Sequence, residues 1–257
     1  MSKNAILCAF NCSKTSPCTD WANRYFDEPP DVIAIEGGSS TSFKQTGQKF
    51  CADPHAYLRK KGADQTGLIA VVTFSAGWGF VDTLMRNQYT RELVDSVILL
   101  DGLHCAVGTL DPWIQYAKRA AMGGPSMPFL AMLHSNIIPP YVSAKATNRA
   151  VYVGGIACCP LPAEAVDAPM LTKVALDEPV SITSAYGSRT WKTDPLAEWE
   201  GAGNLYRFEY KGNDAPTHIY IAKMVQPRAW ELLASRWNKG GGVRECIELS
   251  REGRVDD

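Results

Sequence analysis

Long apolar stretches are absent from this chain of 257 residues. No run approaches the roughly 18 residues that a bilayer span needs, so no transmembrane helix is expected. An excess of either charge is also missing: 26 Lys and Arg against 27 Asp and Glu leave a formal net charge of −1. A dedicated nucleic-acid binder carries a basic footprint. The one basic cluster, Arg59-Lys60-Lys61, reads as a solvated helix face, and no nucleic-acid partner is expected. Repeats and Gly-, Ser- or Pro-rich linkers are lacking as well. With 46% hydrophobic and 21% charged residues, a disordered, collagen-like or coiled-coil chain is excluded.

Cysteine is too sparse for a disulfide scaffold, which would need roughly 8–10% of residues. The eight cysteines lie at 8, 12, 18, 51, 105, 158, 159 and 246. Cys8-x3-Cys12 supplies only half of a zinc pattern, and Cys8 falls inside an apparent strand, so no metal is expected. Cys158 and Cys159 are too close for ordinary disulfide geometry. No cleavage site follows the short run Ala5–Phe10, which therefore reads as a strand and not a signal peptide. Reduced thiols in the cytoplasm are the expectation.

What is present is a series of short apolar runs, several apolar on both faces. They lie at Ala5–Phe10, Asp31–Glu36, Leu68–Phe74, Ser96–Leu100, Pro128–Leu133 and Leu205–Tyr210. Such runs suit parallel strands covered on both sides. Helical spacing marks Thr19–Phe26, Phe43–Lys61, Gly77–Arg86, Pro112–Met122 and Pro227–Trp237, and Gly240-Gly241-Gly242 reads as the stop of the last helix. Alternation of strand and helix predicts an α/β class protein: a doubly wound, mostly parallel sheet with helices on both faces. The expected organisation is a single domain over 1–257, with an irregular insert at about 137–203 that holds one strand at Pro179–Ser184.

Ligands of open α/β sheets bind beyond the carboxyl ends of the strands. After the third predicted strand comes Thr73-Phe74-Ser75-Ala76-Gly77-Trp78-Gly79, a Ser followed by small residues that open a helix. This is the pattern of a nucleophile elbow, where a tight turn exposes the hydroxyl above the sheet. Asp101-Gly102-Leu103-His104 follows the fourth strand, and Gly212-Asn213-Asp214-Ala215-Pro216-Thr217-His218 follows the last. Ser75, Asp101 and His218 thus stand at three strand ends in the order Ser, Asp, His, the order of the α/β-hydrolase triad. Two other carboxylates are open as the acid: Asp214, which also suits a helix cap, and Glu36 after the second strand.

On these segments the chain resembles the α/β-hydrolase superfamily, in particular small esterase- or lipase-like proteins of bacteria and phages, over roughly residues 4–240. It departs from Gly-x-Ser-x-Gly in having Thr73 for the first Gly, and Phe10-Asn11 stands where the family has His-Gly. The resemblance implies a serine hydrolase that cleaves carboxylic esters through an acyl-enzyme. Ser75 would be the nucleophile, His218 the base and Asp101 the orienting acid. Oxyanion donors would be the Ala76 N–H and one from Asn11 or Cys12. Trp78, His104 and His134 are candidates for substrate binding, with a core role for Trp78 and a structural role for the two histidines equally open. The segment from Asp101 to Met127 holds one predicted helix and leaves no room for a large lid, so a small-molecule or polymer-borne ester is the expected substrate. No cofactor is implied. An acyltransferase, amidase or carbohydrate deacetylase on the same fold, or a non-catalytic binding protein, are the alternatives.

Overall fold

The computed structural model describes residues 3–10, 23–63, 66–102, 111–135 and 175–238. In chain order these form β1 (Lys3–Ala9), β2 (Asp31–Ala34), α1 (Ser40–Ala52), α2 (Pro54–Lys60), β3 (Thr66–Phe74), a 3-10 turn (Ser75–Gly77), α3 (Trp78–Arg86), α4 (Gln88–Leu93), β4 (Ser96–Leu100), α5 (Asp111–Met122) and β5 (Phe129–Ser135). There follow β6 (Ala175–Ser184), β7 (Gly187–Thr193), β8 (Leu196–Ala202), β9 (Leu205–Tyr210), α6 (Ala215–Tyr220), a π-helical turn (Ile221–Val225) and α7 (Gln226–Trp237).

Seven strands form one sheet in the order β2-β1-β3-β4-β5-β9-β8. All neighbours are parallel except β8, which runs antiparallel to β9 at the edge. The doubly wound, mostly parallel architecture expected from the sequence is the one observed. Its physical basis is the apolar character of the central strands on both faces. Ala5, Leu7 and Ala9 of β1 enter one core cluster, and Ile6 and Cys8 enter the other. The first cluster is completed by α1, α2, α3 and α5, through Phe43, Phe50, Leu58, Phe80, Trp113 and Tyr116. The second is completed by α6 and α7, through Tyr220, Trp230 and Leu233, and by Ile182 and Trp191 of the separate β6–β7 hairpin.

Register determines where the strands end. Phe74 pairs with Leu100, Leu100 with Leu133, and Ser135 with Tyr210. The residues after β3, β4 and β9 therefore emerge along one edge of the sheet. The chain passes from β1 to β2 on one side and then to β3 on the other, so the strand order reverses between β1 and β3. That switch point is where doubly wound sheets open a crevice.

Helix α4 has no counterpart in the sequence expectation, and three other segments differ from it. Phe43–Lys61, read as one helix, is two. Asp53 is extended (φ −157°, ψ 91°), as a residue before Pro must be, and its side chain caps α2 by accepting the Ala56 N–H at 2.8 Å. The stretch from 175 to 202, read as part of an irregular insert with one strand, is instead three strands. Within Thr19–Phe26, residues 23–25 are helical and Phe26 is not; it packs against Trp237 with ring centroids 5.7 Å apart. Residues 19–22, 137–174 and Gly240-Gly241-Gly242 lie outside the described residues. Among the described residues, no helix is long and apolar enough to cross a membrane, and no cluster of His, Cys, Asp or Glu could hold a metal ion. Arg59, Lys60 and Lys61 are exposed on and just after α2, and Lys61 pairs with Glu36 at 3.0 Å.

Candidate active site

β3 ends in the core and Ser75 begins a tight turn with φ +52°, a left-handed conformation rare for a side-chain-bearing residue. Such strain is characteristic of functional turns and costs about 1–3 kcal/mol. Close packing beneath the turn requires Gly77: a Cβ there would fall on the carbonyl oxygen of Ala9 at the end of β1. Ser75 and Ala76 are half-buried, so the turn is reachable from solvent. Thr73, two residues before Ser75, is fully buried in β3. Gly102 lies beside it, where an added Cβ would make only ordinary van der Waals contact, 3.6 Å from Thr73 Oγ1 and 3.8 Å from the Ser75 carbonyl oxygen.

Asp101 is the second described non-glycine residue with positive φ, at +44°. Its carboxylate is fully buried and held on three sides. Oδ1 accepts the Ser135 N–H at 3.0 Å, and Oδ2 accepts the Ser135 hydroxyl at 2.7 Å. Oδ2 also lies 2.7 Å from His218 Nδ1. The backbone is tied down too, by Asp101 N–H donating to the Leu133 carbonyl at 2.8 Å.

His218 sits on α6, whose N-cap is Asp214. Asp214 Oδ1 accepts the Thr217 N–H at 2.9 Å and the Thr217 hydroxyl at 2.5 Å, while Oδ2 accepts from Arg189 Nη1 at 3.2 Å. Partial burial pushes the Asp214 pKa up, but the two Thr217 bonds and the Arg189 charge outweigh it and hold the carboxyl below its ordinary range. The His218 ring stacks on Phe74, with centroids 4.5 Å apart and planes 29° apart. Phe74 directly precedes Ser75, so this stack brings the imidazole to the elbow. Because a carboxylate only accepts, the Nδ1–H of a neutral His218 points at Asp101 and leaves Nε2 as the basic nitrogen. The imidazole is 19% exposed and the carboxylate 0%, so a partly solvated ring sits over a buried carboxylate.

The other candidate acids are occupied elsewhere. Asp214 is committed to the cap of α6. Glu36 is exposed, and its hydrogen bond to Lys61 and that residue's charge hold its pKa down. Trp78, read from the sequence as a candidate pocket wall, is 2% exposed and belongs to the first core cluster, with the Lys44 ammonium 4.7 Å from its ring centroid. One helical turn after the elbow the chain already points into the core, and this corrects the pocket reading. His134 is also buried (6% exposed), with Nδ1 3.0 Å from the Ser135 carbonyl oxygen. Burial pushes its pKa down, against the Ser135 carbonyl and the Asp101 charge, which raise it. Asn11, Cys12 and His104 lie outside the described residues. Sequence reading missed Ser135, Phe74 as a stacking partner, and Arg189. The last position of an apolar strand was the available signal for Ser135.

No family model matches the chain, and no curated protein does. Among solved structures it is similar to lipase B of Aspergillus fumigatus, at 16% identity and a TM-score of 0.35. That match covers 58% of this chain and 43% of the lipase chain, less than half its length. The fold, a doubly wound and mostly parallel α/β sheet, stands on the strand order and register given above.

Proposed function

We propose that this protein is a serine hydrolase of the α/β-hydrolase kind that cleaves carboxylic esters, with the whole chain as one catalytic domain. The observation that carries the reading is the Asp101 Oδ2–His218 Nδ1 contact of 2.7 Å, formed across 117 residues beside a Ser in left-handed conformation. Ser75 Oγ attacks the acyl carbonyl and His218 Nε2 takes its proton. Asp101 holds the imidazole by Nδ1–H and stabilises the imidazolium. The proton then goes to the leaving alcohol, and water, activated by the same nitrogen, releases the acid from the acyl-enzyme. The Ala76 N–H is one oxyanion donor, and the chain after β1, at Asn11 or Cys12, is the source of the second. That β1 itself ends at the β1/β3 switch point supports that source. The substrate class is a small-molecule ester, or one displayed on a polymer.

The test is fluorophosphonate labelling with mapping of the modified residue, paired with a p-nitrophenyl ester panel on wild type and Ser75→Ala. Labelling at Ser75 and ester turnover lost in Ser75→Ala are expected. An unlabelled protein, or equal slow turnover by both proteins at every chain length, overturns the proposal.

A further inference from the structure

His218 lies near the start of a helical run that continues without a break from α6 through the π-helical turn into α7, so the π-helical turn stands between His218 and the long regular helix. A π-helical turn interrupts the regular backbone ladder, so the direction of the turns before it depends also on what they pack on. The β6–β7 hairpin, which forms no part of the main sheet, packs against α6. Arg189 of β7 donates from Nη1 to Asp214 Oδ2 and to Thr217 Oγ1, each at 3.2 Å. Two residues along the same strand, Trp191 packs on Tyr220 with ring centroids 4.8 Å apart. The Arg189 guanidinium lies 5.3 Å from the Trp191 ring centroid. The hairpin therefore grips α6 on both sides of His218, at its cap and at its last residue.

We infer that the β6–β7 hairpin is a positioning element for the base, and that Arg189 is its positioning residue. This rests on His218 being the general base. Arg189 and Asp214 have side chains 38% and 40% exposed, and an ion pair that open adds little to global stability. What it supplies is direction. A single guanidinium nitrogen joins the cap carboxylate to the Thr217 hydroxyl, so the first turn of α6 cannot fray and His218 Nδ1 stays on Asp101. Small misplacements of a catalytic group are costly in rate, so the effect falls on turnover and not on folding. If the hairpin served only to cover the apolar face of α6 through Ile182 and Trp191, substitution of Arg189 would change stability and leave the rate untouched.

The experiment measures p-nitrophenyl acetate kinetics, fluorophosphonate labelling rate and Tm for wild type, Arg189→Ala, Arg189→Lys, Arg189→Gln, Asp214→Asn and the Arg189→Ala/Asp214→Asn double variant. Arg189→Ala is expected to lower kcat and the labelling rate about tenfold, with KM and Tm nearly unchanged. The Lys variant, whose ammonium reaches the same two acceptors, recovers most of that loss, and the Gln variant is intermediate. In the Asp214→Asn background Arg189→Ala has little further effect, because both act through one cap. Wild-type rates in the Ala and Gln variants overturn the inference, as does a loss confined to Tm. Should the Ala variant not fold, Gln and Lys variants with equal rates decide against it. A wild-type protein that is not labelled at Ser75 sinks the hydrolase reading itself. Labelling that is equally fast in wild type and Arg189→Ala sinks only the positioning role.

Discussion

The Ser135 hydroxyl donates at 2.7 Å to Asp101 Oδ2, the same oxygen that faces His218 Nδ1. Ser135 is the last residue of β5, and its N–H holds the other carboxylate oxygen at 3.0 Å. A strand end therefore clamps a side chain whose own backbone is in a strained left-handed conformation.

Removing that clamp by Ser135→Ala should lower kcat about tenfold while leaving KM unchanged, since a hydrogen bond to a charged group is worth about 1.5–3 kcal/mol. Steady-state kinetics on a p-nitrophenyl ester check this. A variant as active as wild type would show that the backbone N–H alone orients Asp101.

Asp101→Asn and Asp214→Asn should separate by orders of magnitude. The first replaces an acceptor with a group that cannot stabilise an imidazolium, and comparable changes elsewhere cost about 10⁴ in kcat. The second weakens a helix cap, worth about 1 kcal/mol, and reduces activity modestly. If Asp214→Asn is the crippling change, Asp101 is not the acid.

Ser75→Gly and Ser75→Ala should both lose activity, yet differ in stability. Gly adopts φ near +52° without steric cost, whereas Ala keeps the strain. Urea unfolding should place the Gly variant about 1 kcal/mol above the Ala variant, after allowing for the extra freedom of Gly in the unfolded chain. Equal midpoints would mean that the turn is not strained.

His134 makes stability depend on pH in a defined direction. Burial lowers its pKa in the folded state, so between that value and the ordinary histidine pKa of about 6.5 the unfolded chain holds more protons. The stability contribution is complete above about pH 6.5 and is lost as the pH falls toward the lowered folded value. The urea midpoint of wild type should drop from pH 8 to pH 5 more than that of His134→Gln. Parallel profiles would contradict this.

Much of the fold is legible in the sequence because β1, β4 and β5 are apolar on both faces, which only a sheet covered on each side can satisfy. The break between α1 and α2 was signalled by Asp53-Pro54, but the apolar spacing of Phe50, Tyr57 and Leu58 runs through it and reads as one helix. β7 gave little signal, because Gly187-Ser188-Arg189-Thr190-Trp191-Lys192-Thr193 buries only Trp191. A strand that buries one residue has no periodicity to read. For Trp78 the sequence left pocket and core equally open, because it stands near Ser75 and is large and apolar; the first turn of α3 carries its ring into the core.

The sequence alone determined that Ser75 and Asp101 stand just past strands and that His218 follows the last one, since apolar runs and their polar ends are local facts. Which carboxylate meets the imidazole was decided only by the tertiary structure. Asp214, four residues from His218, is drawn off by the Thr217 N–H and hydroxyl, because an N-cap residue satisfies its own helix first. Asp101 reaches His218 because the parallel register of β4, β5 and β9 brings their carboxyl ends to one edge, and Ser135 turns its carboxylate to face the ring.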